Sequence, residues 1–144
     1  MEIRLLNETD LVTLLPLYHQ LSDDNNLEID KAKEIWKKIE QDNNIFYVGA
    51  IENNHVISCC YIVIIPNLTQ GGRSIGVIEN VVTDVNYRKK GIGRRVIEEA
   101  IEIAKKNNCY KVILQSGKAR KEAHAFYRKL GFDDNTKIAF DKRL

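Results

Sequence analysis

The stretch from residue 74 to residue 106 restricts the possible folds more than any other. Ser74–Thr83 (SIGVIENVVT) is apolar and rich in β-branched residues, as a strand requires. Arg95–Lys106 sets Val96, Ile97, Ala100, Ile101 and Ala104 on one side of an amphipathic helix. Between them lies Arg88-Lys89-Lys90-Gly91-Ile92-Gly93. A glycine loop between a strand and a helix gathers unpaired backbone N–H groups at the positive end of the helix dipole, which suits an anion. Arg88, Lys89, Lys90, Arg94 and Arg95 crowd the same spot. Cations there oppose the dipole. A bound polyanion explains them better than a solvated helix start does.

Two anionic partners have recognisable loops of their own. A dinucleotide fingerprint needs a third glycine where Val96 stands, and an acid about 20 residues on, where the chain reads Lys111-Val112-Ile113. A P-loop needs lysine and a hydroxyl residue after the second glycine, and Arg94-Arg95 occupy those places. Neither fits. Nucleic acid is not expected either, because the cluster has no interleaved aromatics and no motif that reads bases. The charge is divided along the chain. Residues 1–70 hold 5 basic and 11 acidic side chains, a net of −6, and residues 71–144 hold 17 and 9, a net of +8.

The remaining elements follow from periodicity. Met1–Leu6 reads as a first strand, and Asn7 or Thr9 caps a helix reaching about Leu21, which Pro16 should kink or split. Asp30 caps a second helix with Ala32, Ile35, Trp36 and Ile39 on one face. Strands Ile45–Ile51 and His55–Ile65 flank the turn Glu52-Asn53-Asn54, and Asn67–Arg73 forms a longer turn. Lys111–Leu114 reads as a buried strand and Arg120–Leu130 as a helix closed by Gly131. Thr136–Arg143 alternates as a final edge strand. Hairpins followed by a strand-helix-strand unit predict an α/β (α+β) fold: a mixed, mostly antiparallel central sheet with helices on both faces.

At 144 residues the chain fits a single domain, residues 1–144. With 44% apolar and 29% charged residues it can bury a core, so it is not a disordered chain. No apolar run approaches the ~20 residues that span a bilayer, and MEIRLLNETD lacks a signal-peptide core, so no membrane association and a cytoplasmic location are expected. Cys59, Cys60 and Cys109 form no C-x-x-C pair, and His19, His55 and His124 are scattered, so no metal is expected.

Two motifs carry a resemblance. Arg88-x-x-Gly91-x-Gly93 is similar to the R/Q-x-x-G-x-G/A pyrophosphate loop of the GNAT acetyltransferase superfamily. Ala123-x-x-Phe126-Tyr127-x-x-x-Gly131-Phe132 resembles the family's second motif. Family members often carry Asn or Asp where this chain has Arg120. Val77–Val82 and Asn108–Val112 also resemble the glucosamine-phosphate N-acetyltransferase branch, a likeness shared by many GNAT proteins, so its substrate is not carried over.

The resemblance implies an acetyl-CoA-dependent N-acetyltransferase whose acceptor, a small-molecule or peptide primary amine, attacks the thioester directly in a ternary complex. The alternative is a catalytically silent acyl-CoA-binding or regulatory module. Strands four and five would splay to admit pantetheine. Val81 and Val82 would supply main-chain contacts to pantetheine and the thioester oxygen, and Lys89, Lys90, Gly91, Ile92, Gly93 and Arg94, with Arg88 beside them, would hold the pyrophosphate. An amine of pKa near 10.4 is about one part in 10³ free base at neutral pH, so a proton acceptor is useful. Glu79 is the candidate, through a water. Ile78 and Asn80 face the other way from it on a regular strand, so only one parity can reach the site. Tyr127 would protonate the departing thiolate. Periodicity alone makes Tyr127 a core aromatic and His124 structural, and Cys109 has no base beside it in sequence. Acceptor contacts would come from the first two helices, the acidic Asp23, Asp24 and Glu28 between them, and Asn67–Arg73. The resemblance also implies a homodimer.

Overall fold

Alternation and turn chemistry account for most of the sheet in the computed structural model, which describes residues 1–144. Its strands are β1 (Glu2–Leu5), β2 (Ile45–Glu52), β3 (His55–Ile65), β4 (Ser74–Thr83) and β5 (Cys109–Leu114), in spatial order β1-β2-β3-β4-β5. Successive pairs from β1 to β4 are antiparallel, and β5 runs parallel to β4. Asn53 and Asn54, at φ 49° and 62°, make the left-handed two-residue turn that matches the twist of the β2–β3 hairpin.

The chain forms two compact units, residues 1–113 and 114–144. In the first, three helices cover the sheet: α1 (Leu11–His19), α2 (Ile29–Gln41) and α3 (Ile92–Lys106). Leu11, Leu14 and Leu17 of α1 and Ala32 and Trp36 of α2 pack on Ile51, Val56, Cys59 and Val82 of one sheet face. Burying Trp36, only 4% exposed, contributes about 3–5 kcal/mol by the usual cost of its removal. Its indole N–H donates to Glu40 at 2.8 Å. On the opposite face, α3 lies close enough to β4 that a Cβ on Gly76 would sit 3.5 Å from the Ala104 methyl. That is an ordinary contact; the tighter neighbours of such a Cβ are Ile62 at 3.0 Å and Val112 at 3.3 Å, so the glycine makes room for side chains of the flanking strands. Helices therefore lie on both faces, as expected.

Three boundaries differ from the sequence reading. Pro16 leaves α1 unbroken: the acceptor it cannot serve is the carbonyl of Val12, a residue 65% exposed and so open to solvent. Asp30 lies inside the first turn of α2, with Glu28 at the cap. The start of α3 is Ile92 rather than Arg95, since Gly91 adopts the left-handed conformation (φ 77°) that releases the helix directly after it. The N-terminus is held by Arg4, whose guanidinium donates to both carboxylate oxygens of the buried Asp10 at 2.8 and 2.9 Å. Asn7 N–H adds a third bond to Asp10, closing a capping box before α1.

The second unit contains α4 (Lys121–Lys129). It ends in a Schellman motif: Phe132 N–H donates to Tyr127 O at 3.1 Å, Gly131 N–H to Arg128 O at 2.9 Å, and Gly131 stands at φ 92°. The edge strand expected over 136–143 does not form. Alternation defines an apolar face for that segment but does not by itself supply backbone pairing, and Ile138 and Phe140 remain exposed. No helix is long and apolar enough to cross a membrane.

Candidate functional site

The glycine loop has a defined shape. Asp84 caps a 3-10 turn over Val85–Tyr87 by accepting from Asn86 N–H at 2.8 Å. Lys89 (φ 61°) and Gly91 (φ 77°) then turn the backbone twice through the left-handed region. The first backbone bond beyond them is Arg95 N–H to Gly91 O, so the N–H groups from Lys89 to Arg94 donate to no group of the protein. Alternating left- and right-handed residues before a helix form a concave nest of such donors, a recognised anion site. The first turn of α3 contains no acid to fill it from within.

The side chains divide into committed and free. Arg88 Nε donates to Thr83 O at 2.9 Å, which folds this cation back onto the end of β4. Lys90 Nζ reaches Asn86 O at 3.2 Å and lies over the Tyr87 ring, and Arg94 pairs with Glu98 at 2.7 Å. Lys89 and Arg95 are exposed without protein partners. Ile92 buries its side chain in the core and offers the loop only its backbone.

On β4 the parity question has a structural answer. Cys59 stands opposite Val82, but Tyr61 stands opposite Glu79, so two residues of β4, Asn80 and Val81, face one of β3. This is a β-bulge, with Asn80 at φ 51°. Asn80 and Val81 lack partners on β3, whereas Val82 resumes the ladder and its carbonyl accepts from Ser58 Oγ at 3.1 Å. The bulge also puts Glu79 and Val82 on the same face. Glu79 is exposed at the end of a row formed by Tyr61, Tyr47 and Trp36: the tyrosine rings stack at 4.8 Å, and Trp36 meets Tyr47 edge-on at 5.2 Å. Burial and the nearby Glu79 charge both raise the Tyr61 phenol above its ordinary pKa.

Beside this row a cavity of about 500 Å³ opens between α1, α2 and the sheet, and the bulge residue Asn80 lines it. The size suits a small-molecule site. The Tyr18 hydroxyl is buried against Cys59, Tyr47 and Asn80 and makes no hydrogen bond of regular geometry. Of the residues named as acceptor contacts, Asp24 lines the cavity, while Asp23, Glu28 and Arg73 do not. The sequence reading missed the cavity. Its walls come from residues that each look like ordinary core, and only the topology gathers them.

Other residues are placed as follows. Tyr127, 8% exposed, belongs to the second unit, where its ring meets Phe126 at 5.2 Å and Phe132 at 6.1 Å. His124 is occupied structurally, its Nε2 lying 2.8 Å from Gly117 O. Burial raises the thiol pKa of Cys109 and pushes that of Cys59 up to about 12, the opposite of what activates a nucleophile.

Comparison with known proteins identifies the family. The acetyltransferase (GNAT) family model matches residues 13–132. A glucosamine 6-phosphate N-acetyltransferase of Trypanosoma brucei brucei is 32% identical over 135 residues, covering 92% of this chain and 88% of the relative. A solved structure from Agrobacterium tumefaciens str. C58 superposes with a TM-score of 0.94 at 35% identity, over 100% of both chains. The crystal structure of glucosamine-6-phosphate N-acetyltransferase from Arabidopsis thaliana gives 0.89 at 25% identity, covering 99% of this chain and 97% of the other. With motifs, fold and relatives in agreement, the chain belongs to the acetyltransferase (GNAT) family.

Proposed function

We propose that the chain works as a single domain that transfers the acetyl group of acetyl-CoA to a primary amine, with the loop at 88–94 as its cofactor anchor. The observation that carries this is the run of unpartnered N–H donors from Lys89 to Arg94 at the start of α3. Those donors would hold the pyrophosphate, with Lys89 and Arg95 free to pair with further phosphate charge. Bound there, acetyl-CoA supplies a thioester whose carbonyl an amine can attack. Val81 and Val82, at and beside the bulge, would give the main-chain contacts to pantetheine and the thioester oxygen, with β4 and β5 splaying to admit it. Backbone donors fixed in place stabilise a developing oxyanion without reorganisation.

Glu79 takes the proton released as the C–N bond forms, through a water, since its carboxylate is exposed on the face of β4 that borders the cavity. Tyr127 returns a proton to sulfur as the C–S bond breaks, a role assigned from the motif around it. The amine enters through the cavity between α1 and α2. The homodimer and the cytoplasmic location implied earlier belong to the same reading. It is tested by melting the protein with acetyl-CoA, CoA or ADP at matched concentrations. At 100 times Kd a ligand adds about 2.7 kcal/mol, a rise of several degrees. Acetyl-CoA and CoA should each produce that rise and ADP little, and release of CoA on adding an amine should follow. No response to acetyl-CoA from the folded protein would overturn the proposal.

A further inference from the structure

The cavity between α1 and α2 carries more information about the acceptor than the family does. Its apolar walls are Leu11, Leu14 and Leu15 from α1, Ala32, Ile35, Trp36 and Ile39 from α2, Leu27 between them and Tyr47 from β2, with Asn25 and Asn26 lining it beside Asp24. None of the residues lining it is Lys or Arg. The charge at its edge is negative: Asp24 belongs to the lining, and Asp23, Glu28 and Asp30 lie in the same stretch, where no basic residue occurs between His19 and Lys31. A phosphate dianion entering here would meet like charge and lose hydration with no cation to replace it, a large cost that neutral amides offset only in part. An ammonium on an apolar body meets the reverse conditions.

The polar groups inside the cavity fit that cation. The Tyr18 hydroxyl makes no hydrogen bond of regular geometry and presents acceptor lone pairs beside Asn80, a residue of the bulge that would receive the acetyl group. The Tyr47 ring is part of the wall and offers a face or edge to an aromatic body.

We propose that the acceptor is a primary amine carried on an uncharged hydrophobic, preferably aromatic, body, with Tyr18 as a positioning residue that receives the ammonium at the inner end of the cavity. A phosphorylated amino sugar is the acceptor this cavity disfavours, although relatives are named for it. The inference rests on the acetyl-transfer reading above.

The test uses the full chain with acetyl-CoA. CoA release is followed chromatographically, which keeps the chain's own free cysteines out of the readout. The probes are 2-phenylethylamine, spermidine and glucosamine 6-phosphate. The expected result is a kcat/KM for 2-phenylethylamine at least about tenfold above either of the others. Ile35 lines the cavity but is 39% exposed, so Ile35→Lys should fold, and its cation should lower kcat/KM for 2-phenylethylamine about tenfold or more. Tyr18→Phe should raise KM for this amine about tenfold with kcat within about twofold. Preference for glucosamine 6-phosphate or spermidine overturns the inference, as do an unaffected Ile35→Lys or Tyr18→Phe variant and a protein that binds acetyl-CoA but acetylates no probe. In each of those cases the melting response to acetyl-CoA still supports the cofactor reading. Absence of that response overturns both together.

Discussion

Replacing Gly91 by glutamate separates the anion nest from every other role of the loop. Gly91 holds φ at 77°, and a Cβ built on it would meet no atom within 4 Å. The new side chain therefore projects into open space. The folded state loses about 1–2 kcal/mol for a non-glycine residue in the left-handed region, and Gly91→Ala measures that loss alone. The glutamate adds a negative charge beside donors that await one. At ~5 Å from a bound phosphate and an effective dielectric of ~20, each pair of unit charges repels by about 3 kcal/mol. At 1.4 kcal/mol per factor of ten, that weakens acetyl-CoA at least about 100-fold. Calorimetric titration with acetyl-CoA at two salt concentrations reads the effect, with a thermal melt to confirm folding. Gly91→Ala should stay within about threefold of the parent. A folded Gly91→Glu protein binding acetyl-CoA within threefold of the parent would refute the assignment of the loop.

Three further outcomes are expected. Tyr127→Phe should lower kcat about 10- to 100-fold while acetyl-CoA affinity changes less than threefold; an unchanged kcat would return Tyr127 to packing alone. Glu79→Gln should shift activity toward higher pH, where the amine is already free base, and an unmoved pH–rate profile would remove Glu79 as proton acceptor. The two Arg4 hydrogen bonds and the Asn7 N–H hold the Asp10 carboxyl below its ordinary range. Its stabilisation is thus complete above the unfolded pKa of about 3.9 and drains away as pH falls through the lower native value. Asp10→Asn should cost about 2 kcal/mol at pH 7 in urea unfolding and flatten the acid limb below about pH 4; equal stability at pH 7 would dismiss the pair as a stabilising contact.

Much of the fold is legible in the sequence. His55–Ile65 and Ser74–Thr83 stand where alternation put them, because Asn53-Asn54 and the glycines at 71–72 leave little freedom for the turns. The loop at 88–93 was legible because glycines next to clustered cations mark a turn into a helix start, the conformation the backbone adopts at Lys89 and Gly91. The bulge was not. A strand read by parity assigns Glu79 and Val82 to opposite faces, and an asparagine at a positive φ is a tertiary choice that spacing does not announce. The cavity was hidden for a related reason. Tyr18 and Trp36 obey helical periodicity and Tyr47 strand alternation, so each reads as core, and only the order β1-β2-β3-β4 with two helices on one face brings them around a space. The segment at 136–143 shows the converse, an alternating pattern that forms no strand.

The central claim is that the α3 nest and the β4 bulge together receive acetyl-CoA. Titrating isotope-labelled protein with acetyl-CoA and following backbone amides by NMR tests it most directly. The account predicts large shifts confined mainly to two groups, Lys89–Arg94 and Asn80–Val82, saturating together at one affinity. Saturable binding that leaves both groups of amides unmoved would contradict it.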